Sequence, residues 1–143
     1  MTNQIATSAF ESPGELLDAE GRVLGTTPWM TVDADAVKMF VSATGGDRGS
    51  TGQVPPMMLL SLTNYFLPQL LHVGGISSGV NYGTGRVRFG EPARIGDRLR
   101  ATATITEAAE VQGGVQTTVE IVLEAEGVPV PACQVESLSR WLT

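Results

Sequence analysis

The sequence is poor in three residue types that usually point to particular kinds of chemistry. It has 1 cysteine and 1 histidine in 143 residues, and 9 lysines and arginines against 15 aspartates and glutamates. A single cysteine cannot form an intramolecular disulfide, which favours a reducing compartment. The net charge of −6 leaves no basic surface to attract phosphate backbones or anionic lipid. We therefore expect no nucleic acid and no membrane as partner.

No segment has the pattern of a signal peptide or a membrane span. Residues 1–8 lack both a basic and an apolar region and are predicted to form a flexible tail. The longest apolar stretch, residues 55–73, is near the lower length limit for crossing a bilayer and contains Asn64, Tyr65 and Pro68. We expect a cytoplasmic protein with a single domain over residues 9–143.

The apolar stretch 55–73 predicts a long central helix. Pro55 and Pro56 suit a first helical turn, whose amides lack partners within the helix, and the glycines at 74–75 suit its end. Apolar residues occupy almost every position rather than one stripe. We therefore expect most of the helix surface to be covered by protein.

Two shorter helices are predicted before the central one. Ser12 and Glu15 have the spacing of a capping box around Pro13, which indicates a short peripheral helix. Asp33 is a suitable cap for a second helix, because apolar residues recur at helical spacing from 37 to 44. The glycines at 45–46 end it, and the polar, glycine-rich residues 47–54 predict a loop.

From about residue 80 the pattern changes to the alternation of β-strands. Apolar residues alternate with polar ones over 99–105 and over 115–125, with a glycine turn at 113–114 between them. A last strand is predicted over 132–141, and Cys133 is interpreted as a small buried apolar residue. A long helix followed by an antiparallel meander predicts an α+β domain whose antiparallel sheet wraps the helix.

The second half of the chain resembles a known family. A Tyr-Gly pair at 82–83 leads to Arg-Phe at 88–89, followed by Pro92 and Ile-Gly-Asp at 95–97. This order is similar to that of the MaoC-like (R)-specific enoyl-CoA hydratases, which have the hotdog fold, and the likeness covers most of the chain. The resemblance implies an acyl-thioester or polyketide substrate, no cofactor or metal, and a homodimer or higher homo-oligomer with a tunnel between subunits.

The chain departs from the family's pattern where the chemistry should be. The family's hydratases carry an Asp after the second helix and a His five residues later; Asp47 fits the first position, but Gly52 occupies the second. Where the family has His-Gly at the helix start, this chain has Pro55-Pro56, which removes one amide donor. The Met57 amide is a possible substitute. The resemblance thus implies the family's scaffold without its hydration dyad.

Several residues are candidates for a site, each with an ordinary structural alternative. Asp47 is either a residual acid or base or a solvated loop residue. Polar groups in the apolar stretch need a partner, which is either internal or a ligand. His72 is interpreted as a helix-capping or surface residue. The aromatic and methionine candidates are either tunnel walls or core. The predicted catalytic residues are Asp47, Asn64 and Tyr65, and the predicted substrate-binding residues are Trp29, Gln53, Met57, Met58, Phe66, Asn81 and Tyr82.

Three functions are compatible with these features. The first is a MaoC-like enzyme repurposed for polyketide tailoring, which promotes a pericyclic ring closure such as a Diels-Alder-type cycloaddition by shape and hydrogen bonding. The second is hydration or dehydration of a 2-enoyl thioester by Asp47 with Ser50, Thr51 or His72. The third is a non-catalytic subunit that pairs with an active hotdog partner.

Overall fold

The structure is a computed structural model that describes residues 7–46 and 52–143. Its helices are a short 3₁₀ helix (Pro13–Asp18), α1 (Ala34–Thr44), α2 (Pro56–Ser61) and α3 (Thr63–Leu70). Its strands are β1 (Ser8–Phe10), β2 (Val23–Thr26), β3 (Met30–Thr31), β4 (Leu71–Val73), β5 (Ser78–Phe89), β6 (Arg98–Val111), β7 (Gly114–Ala125) and β8 (Cys133–Leu142). The described part of the chain contains no helix long and apolar enough to cross a membrane.

One antiparallel sheet of six strands forms the body of the molecule. Its order is β2-β6-β7-β8-β5, and β3 also pairs with β6. The consecutive strands β6, β7 and β8 form the predicted meander, and α3 packs against β6 on one face of the sheet. This α+β arrangement confirms the predicted fold class, an antiparallel sheet around a central helix.

The predicted alternation places the core correctly. Every apolar residue at alternate positions of β6 from Leu99 to Ile105 is fully buried, and the matching positions of β7 from Val115 to Ala125 are at most 5% exposed. Cys133 is also fully buried, as interpreted from its apolar surroundings. A side-chain period of two puts one row of each strand against the helix, so the sequence pattern alone defines the inner face of this part of the sheet.

The central helix is shorter than predicted and is broken. It begins at Pro56, is interrupted at Leu62 and ends at Leu70, instead of running to residue 73. At the break the Thr63 hydroxyl donates to the Leu60 carbonyl at 2.8 Å, which compensates for the interrupted backbone pattern. Pro68 lies inside α3 and has no amide hydrogen to donate to the preceding turn.

Of the two roles predicted for His72, the surface position agrees with the structure, because the residue is exposed, and the role at a helix end is wrong. Leu71 is extended, and β4 pairs in parallel with β1, so that His72 lies opposite Ala9. The glycines that follow serve this strand pair rather than a helix end: a Cβ on Gly74 or Gly75 would lie 3.1 Å from the Glu11 carbonyl oxygen. Strand pairing with a distant segment therefore overrides the local helical preference.

The surface of the broken helix is covered on one side only, contrary to the prediction. Phe66 and Leu70 are fully buried, whereas Met57 is 59% exposed and Tyr65 is 53% exposed. Apolar residues all round the helix therefore meet the sheet on one face and solvent on the other. A single sheet can cover only one face of a helix.

The predicted helix caps have different outcomes. Asp33 accepts a hydrogen bond from the Ala36 amide at 2.8 Å and caps α1, as predicted, and Gly45 ends that helix in a left-handed conformation at φ 69°. The predicted short helix forms, with Ser12 at its N-cap position and Pro13 in its first turn, but the Ser12 side chain makes no capping bond, so that part of the capping-box prediction is wrong. The Glu15 carboxylate instead accepts from the Glu11 amide at 2.7 Å.

Two further expectations fall at or outside the edges of the described ranges. Asp47, Ser50 and Thr51 lie outside the described residues. Of the predicted tail, Ser8 is the first residue of β1, and the Thr7 hydroxyl donates to the Gln69 carbonyl at 2.9 Å.

Candidate functional site

A cavity of about 480 Å³ lies between the end of α3, β4 and the β5–β8 end of the sheet. Most of its wall is apolar, with contributions from Leu67, Pro68, Leu71, Ile76 and Trp141. A cavity of this size and apolar character, with a few polar groups, is typical of small-molecule sites.

The polar groups of the cavity come from three elements that are distant in sequence. The Asn81 side-chain amide, on β5, donates to the Asn64 Oδ1, on α3, at 3.3 Å. Ser137 and Ser139 of β8 complete this side of the wall. Cross-strand pairing explains the cluster, because Asn81 and Ser139 are directly opposite each other in the β5–β8 ladder.

The inner row of β8 changes character along its length, and this change creates the cavity's polar wall. Cys133 and Val135 are buried apolar residues, but the next two inward positions are Ser137 and Ser139. Ser139 is only 4% exposed, and neither hydroxyl forms a hydrogen bond within the described part of the chain. Small side chains leave space where the preceding positions are filled, and the hydroxyls offer hydrogen bonds to whatever occupies that space.

Trp141 closes the end of the cavity and is held in place from two sides. Its indole N–H donates to the buried Thr117 Oγ1 at 3.0 Å. Gly79 lies opposite Trp141 in the ladder, and a Cβ at this glycine would approach the indole ring to 3.1 Å. Glycine at position 79 therefore lets the indole ring approach β5 closely.

The described cavity wall contains no carboxylate. His72 is its only titratable side chain within ranges 7–46 and 52–143, and the remaining polar groups are neutral hydroxyls and amides. The same ranges contain no group of three or more His, Cys, Asp or Glu side chains placed to hold a metal ion. The cavity can therefore position and polarise a ligand through hydrogen bonds, and His72 is the single described group in it able to transfer a proton.

The structure brings together two of the predicted site residues, Asn64 and Asn81. The predicted residues next to them in sequence, Tyr65 and Tyr82, lie elsewhere. Asn64 and Asn81 line the cavity and are bonded to each other. Tyr65 packs edge-on against Phe66, with ring centroids 5.2 Å apart, and its ring is largely exposed. Tyr82 lies beside a β-bulge, and the Arg140 guanidinium stacks over its ring at 3.8 Å. Neither tyrosine is part of the cavity wall.

The other predicted binding residues lie outside this cavity. Phe66 and Met58 are core residues, at 0% and 7% exposure, while Met57 is exposed. Gln53 forms an isolated bridge with Arg94. Trp29 lies beneath two guanidinium groups, those of Arg98 at 5.6 Å and Arg100 at 4.2 Å from its ring centroid.

Within the described part of the chain, the ion pairs are formed by these two arginines. Arg98 pairs with Glu126 at 2.8 Å and Arg100 with Glu124, on the face of the sheet opposite the buried Leu99. Trp29 thus belongs to a surface cluster on the outer face of the sheet.

Sequence reasoning missed Ser137, Ser139 and Trp141. The signal was present in the alternation of β8, in which two serines occupy inward positions that follow Cys133 and Val135. Polar residues at positions expected to be core are a known sign of a functional site.

Known proteins resemble the chain at the level of both sequence and fold, although no family model matches it. It is 33% identical over 147 aligned residues to a 3-hydroxyacyl-thioester dehydratase Z of Mycobacterium tuberculosis, with 93% of this chain and 97% of the relative covered. Among solved structures, a MaoC-like dehydratase of Rhodospirillum rubrum superposes with a TM-score of 0.65 at 15% identity, covering 87% of this chain and 92% of that one. A chain of the HadBC (3R-hydroxyacyl-ACP dehydratase) complex of Mycobacterium tuberculosis gives 0.70 at 18% identity, covering 86% and 97%.

Proposed function

The chain belongs to the MaoC-like (R)-hydratase and 3-hydroxyacyl-thioester dehydratase family, and we propose that it binds an apolar acyl or polyketide chain beside Asn64 and Asn81 and promotes its cyclisation. The observation that carries this proposal is the composition of the cavity, which combines apolar walls with neutral hydrogen-bonding groups and, among the described residues, has no carboxylate. The sequence supports it independently, because Gly52 stands where the family's hydratases have a histidine.

A pericyclic ring closure suits such a cavity. A conjugated diene and an alkene on the same chain form two new carbon–carbon σ bonds at the expense of π bonds, and no proton, water or electron enters or leaves. The protein's contribution is to hold the flexible chain in its reactive conformation, which removes entropic cost from the barrier. A hydrogen bond from Asn64 or Asn81 to a carbonyl conjugated with the alkene lowers the barrier further.

The test uses a linear thioester that carries a conjugated diene and an electron-poor alkene. Cyclisation gives an isomer of unchanged mass, which chromatography separates from the substrate. We expect acceleration over the uncatalysed rate and a loss of about tenfold in Asn64→Leu and in Asn81→Leu, the effect of one orienting hydrogen bond. Gln134→Leu, which removes an amide from an exposed outer-face position of β8, serves as the matched control. Unaccelerated cyclisation of this probe would count against the proposal.

Hydration or dehydration of an acyl thioester is the second candidate, and the relationship to a protein named as a dehydratase favours it. This reaction changes the mass by one water, so mass spectrometry of a crotonyl-CoA incubation distinguishes it from cyclisation. It requires an acid–base group, for which Asp47 or His72 is available. Turnover that Asp47→Asn or His72→Gln abolishes would establish this function instead.

We propose further that the chain forms a homodimer through β5. This strand is 12 residues long, it is the edge of the sheet, and almost all of it is exposed, including Val80 and Tyr82. A long edge strand with exposed apolar side chains is a template for pairing with a second chain. Because Gly79, Val80 and Asn81 also line the cavity, a second copy on this edge would cover the cavity.

Sedimentation equilibrium tests the dimer. We expect Val80→Lys combined with Tyr82→Lys to shift the protein to monomers. Val23→Lys, at a 61% exposed position on the opposite edge of the sheet, should leave the dimer intact. If the unsubstituted chain is monomeric alone but is captured by an active hotdog subunit, the protein is instead a non-catalytic subunit.

A further inference from the structure

The Asn64–Asn81 pair keeps unused hydrogen-bonding groups of both kinds, namely amide hydrogens on both side chains and the Asn81 carbonyl oxygen. Asn81 spends one amide hydrogen on Asn64 Oδ1, so the Asn64 amide group keeps its donors and Asn81 keeps its acceptor oxygen. If Asn64 is instead the donor and Asn81 the acceptor, the result is the same. Asn81 then keeps its amide hydrogens, and Asn64 keeps its oxygen. No other side-chain hydrogen bond is formed by either residue within the described ranges.

We propose that this pair recognises a cyclic headgroup that carries a donor and an acceptor on the same side, such as a lactam or an enolised 1,3-dicarbonyl ring. The inference rests on the proposed function and names the substrate class of the same cavity. The carbonyl of the headgroup accepts from one asparagine, and its N–H or O–H donates to the other. An open-chain secondary amide is trans, with its N–H and C=O on opposite sides, so a ring fits this two-point contact better.

The absence of Lys and Arg from the described cavity wall favours the same class of headgroup. A carboxylate or phosphate inside it would meet no guanidinium or ammonium group to replace its hydration. A simple thioester carbonyl is only an acceptor and would bond to one asparagine donor without using the Asn81 oxygen. It therefore forms one hydrogen bond fewer with the pair than a lactam does.

The rest of the cavity accommodates an apolar chain attached to that ring. Its apolar wall runs from Leu67 to Trp141, and the unbonded Ser137 and Ser139 hydroxyls lie on the same wall as Asn81. A volume of about 480 Å³ is within the ordinary range of small-molecule pockets. The expected ligand is therefore a polar ring with a donor and an acceptor, carried on a hydrocarbon chain.

The test compares two probes of the same shape that differ in one group. A γ-lactam with an octyl tail carries N–H beside its carbonyl, whereas the γ-lactone with the same tail carries a ring oxygen there. Of the 2 tryptophans, Trp141 lines the cavity and Trp29 lies elsewhere, so binding to the full-length Trp29→Phe protein is followed by Trp141 fluorescence.

We expect the lactam to bind roughly fivefold more tightly than the lactone, the effect of one net hydrogen bond. In Asn81→Leu and in Asn64→Leu the two Kd values should become equal, while Gln134→Leu keeps the preference. The two asparagine variants lie on different elements, and both positions are exposed, so we expect both variants to fold.

Each outcome has a distinct meaning. Equal affinities in the Trp29→Phe protein, or a lactam preference that persists in both leucine variants, would overturn the assignment of the headgroup while leaving the proposed cyclisation intact. If neither probe changes Trp141 fluorescence, the cavity binds no apolar chain, and both the headgroup assignment and the proposed function are wrong. Cyclisation without any lactam preference would retain the function and reject the headgroup.

Discussion

The two ends of the sheet's inner face are built from the same kind of strand but are filled differently. At the β6–β7 end, Leu99, Ile105, Ile121 and Leu123 are fully buried against the helix layer. At the β5–β8 end, the corresponding row contains Asn81, Ser137 and Ser139, and a cavity takes the place of packed side chains. The filled end accounts for stability, and the hollow end offers a ligand space and hydrogen-bonding groups. The packed core and the candidate ligand space thus occupy different ends of one surface.

The largest effect is expected at the filled end. Phe66→Ala should reduce the free energy of unfolding by about 3–5 kcal/mol, because a fully buried aromatic side chain is removed and the surroundings collapse only partly. Urea denaturation followed by far-UV circular dichroism measures this. Tyr65→Ala, at a 53% exposed neighbouring position, is the control and should cost much less. Equal losses in both would mean that the face of α3 towards the sheet is not the packed one.

The next effect is expected at the boundary between the two ends. Thr117→Val keeps the shape of a fully buried side chain but removes the acceptor of the Trp141 indole N–H. We expect a loss of about 1–2 kcal/mol, because an indole donor is left without a partner. Thr118→Val is the control, since the Thr118 hydroxyl forms no hydrogen bond within the described ranges. The same urea titrations measure both variants, and an unchanged stability in Thr117→Val would contradict the role of this bond.

The free energy of unfolding should depend on pH through the Cys133 thiol, which lies in the filled part of β8. Burial raises the pKa of the Cys133 thiol above its ordinary value of 9.0. In the unfolded chain the thiol ionises at its ordinary pKa, whereas in the folded protein it stays protonated to higher pH. The free energy of unfolding should therefore be unaffected by this group below its ordinary pKa and should fall as the pH rises above it.

Comparison with Cys133→Ala isolates this contribution. Unfolding is measured for both proteins between about pH 7 and pH 10, which spans the ordinary thiol pKa. The stability advantage of the cysteine protein should shrink towards the upper end of that range. A constant difference would mean that the thiol ionises equally in the folded and unfolded states.

The smallest effect on stability is expected in the hollow end. Ser139→Ala should change the free energy of unfolding by no more than about 0.5 kcal/mol, because the hydroxyl has no partner among the described residues. A loss as large as that of Thr117→Val would show that the hydroxyl is part of the folded structure's own hydrogen bonding.

Much of this arrangement was predictable because it follows from local periodicity. The alternation in β6 and β7 identified the buried rows, and the Asp33 cap fixed the start of α1. A polar group in an apolar stretch requires a partner, which makes Asn64 a predictable site residue, and in the structure that partner is Asn81. The sequence could not show that these two residues meet, because the contact joins a helix to an edge strand.

The failures have a common physical cause. Residues 71–73 continue the helical pattern, but pairing with β1 offers their backbone an alternative set of hydrogen bonds, and the chain becomes a strand. Phe66 and Tyr65 are adjacent in an apolar run, and only the direction of the helix relative to the sheet decides that one is core and the other exposed. Periodicity on a helix that is apolar all round does not specify which face is buried.

By itself, the sequence determined the fold class, the inner rows of the meander and the absence of a histidine from the loop before the central helix. These are properties of residue type and spacing, which act over a few positions. Only the tertiary structure decided that the helix breaks at Leu62, that Trp29 belongs to the outer face and that Asn64, Asn81 and Ser139 share one cavity. Such contacts depend on the register between strands and the placement of α3, which long-range packing sets and no local pattern encodes.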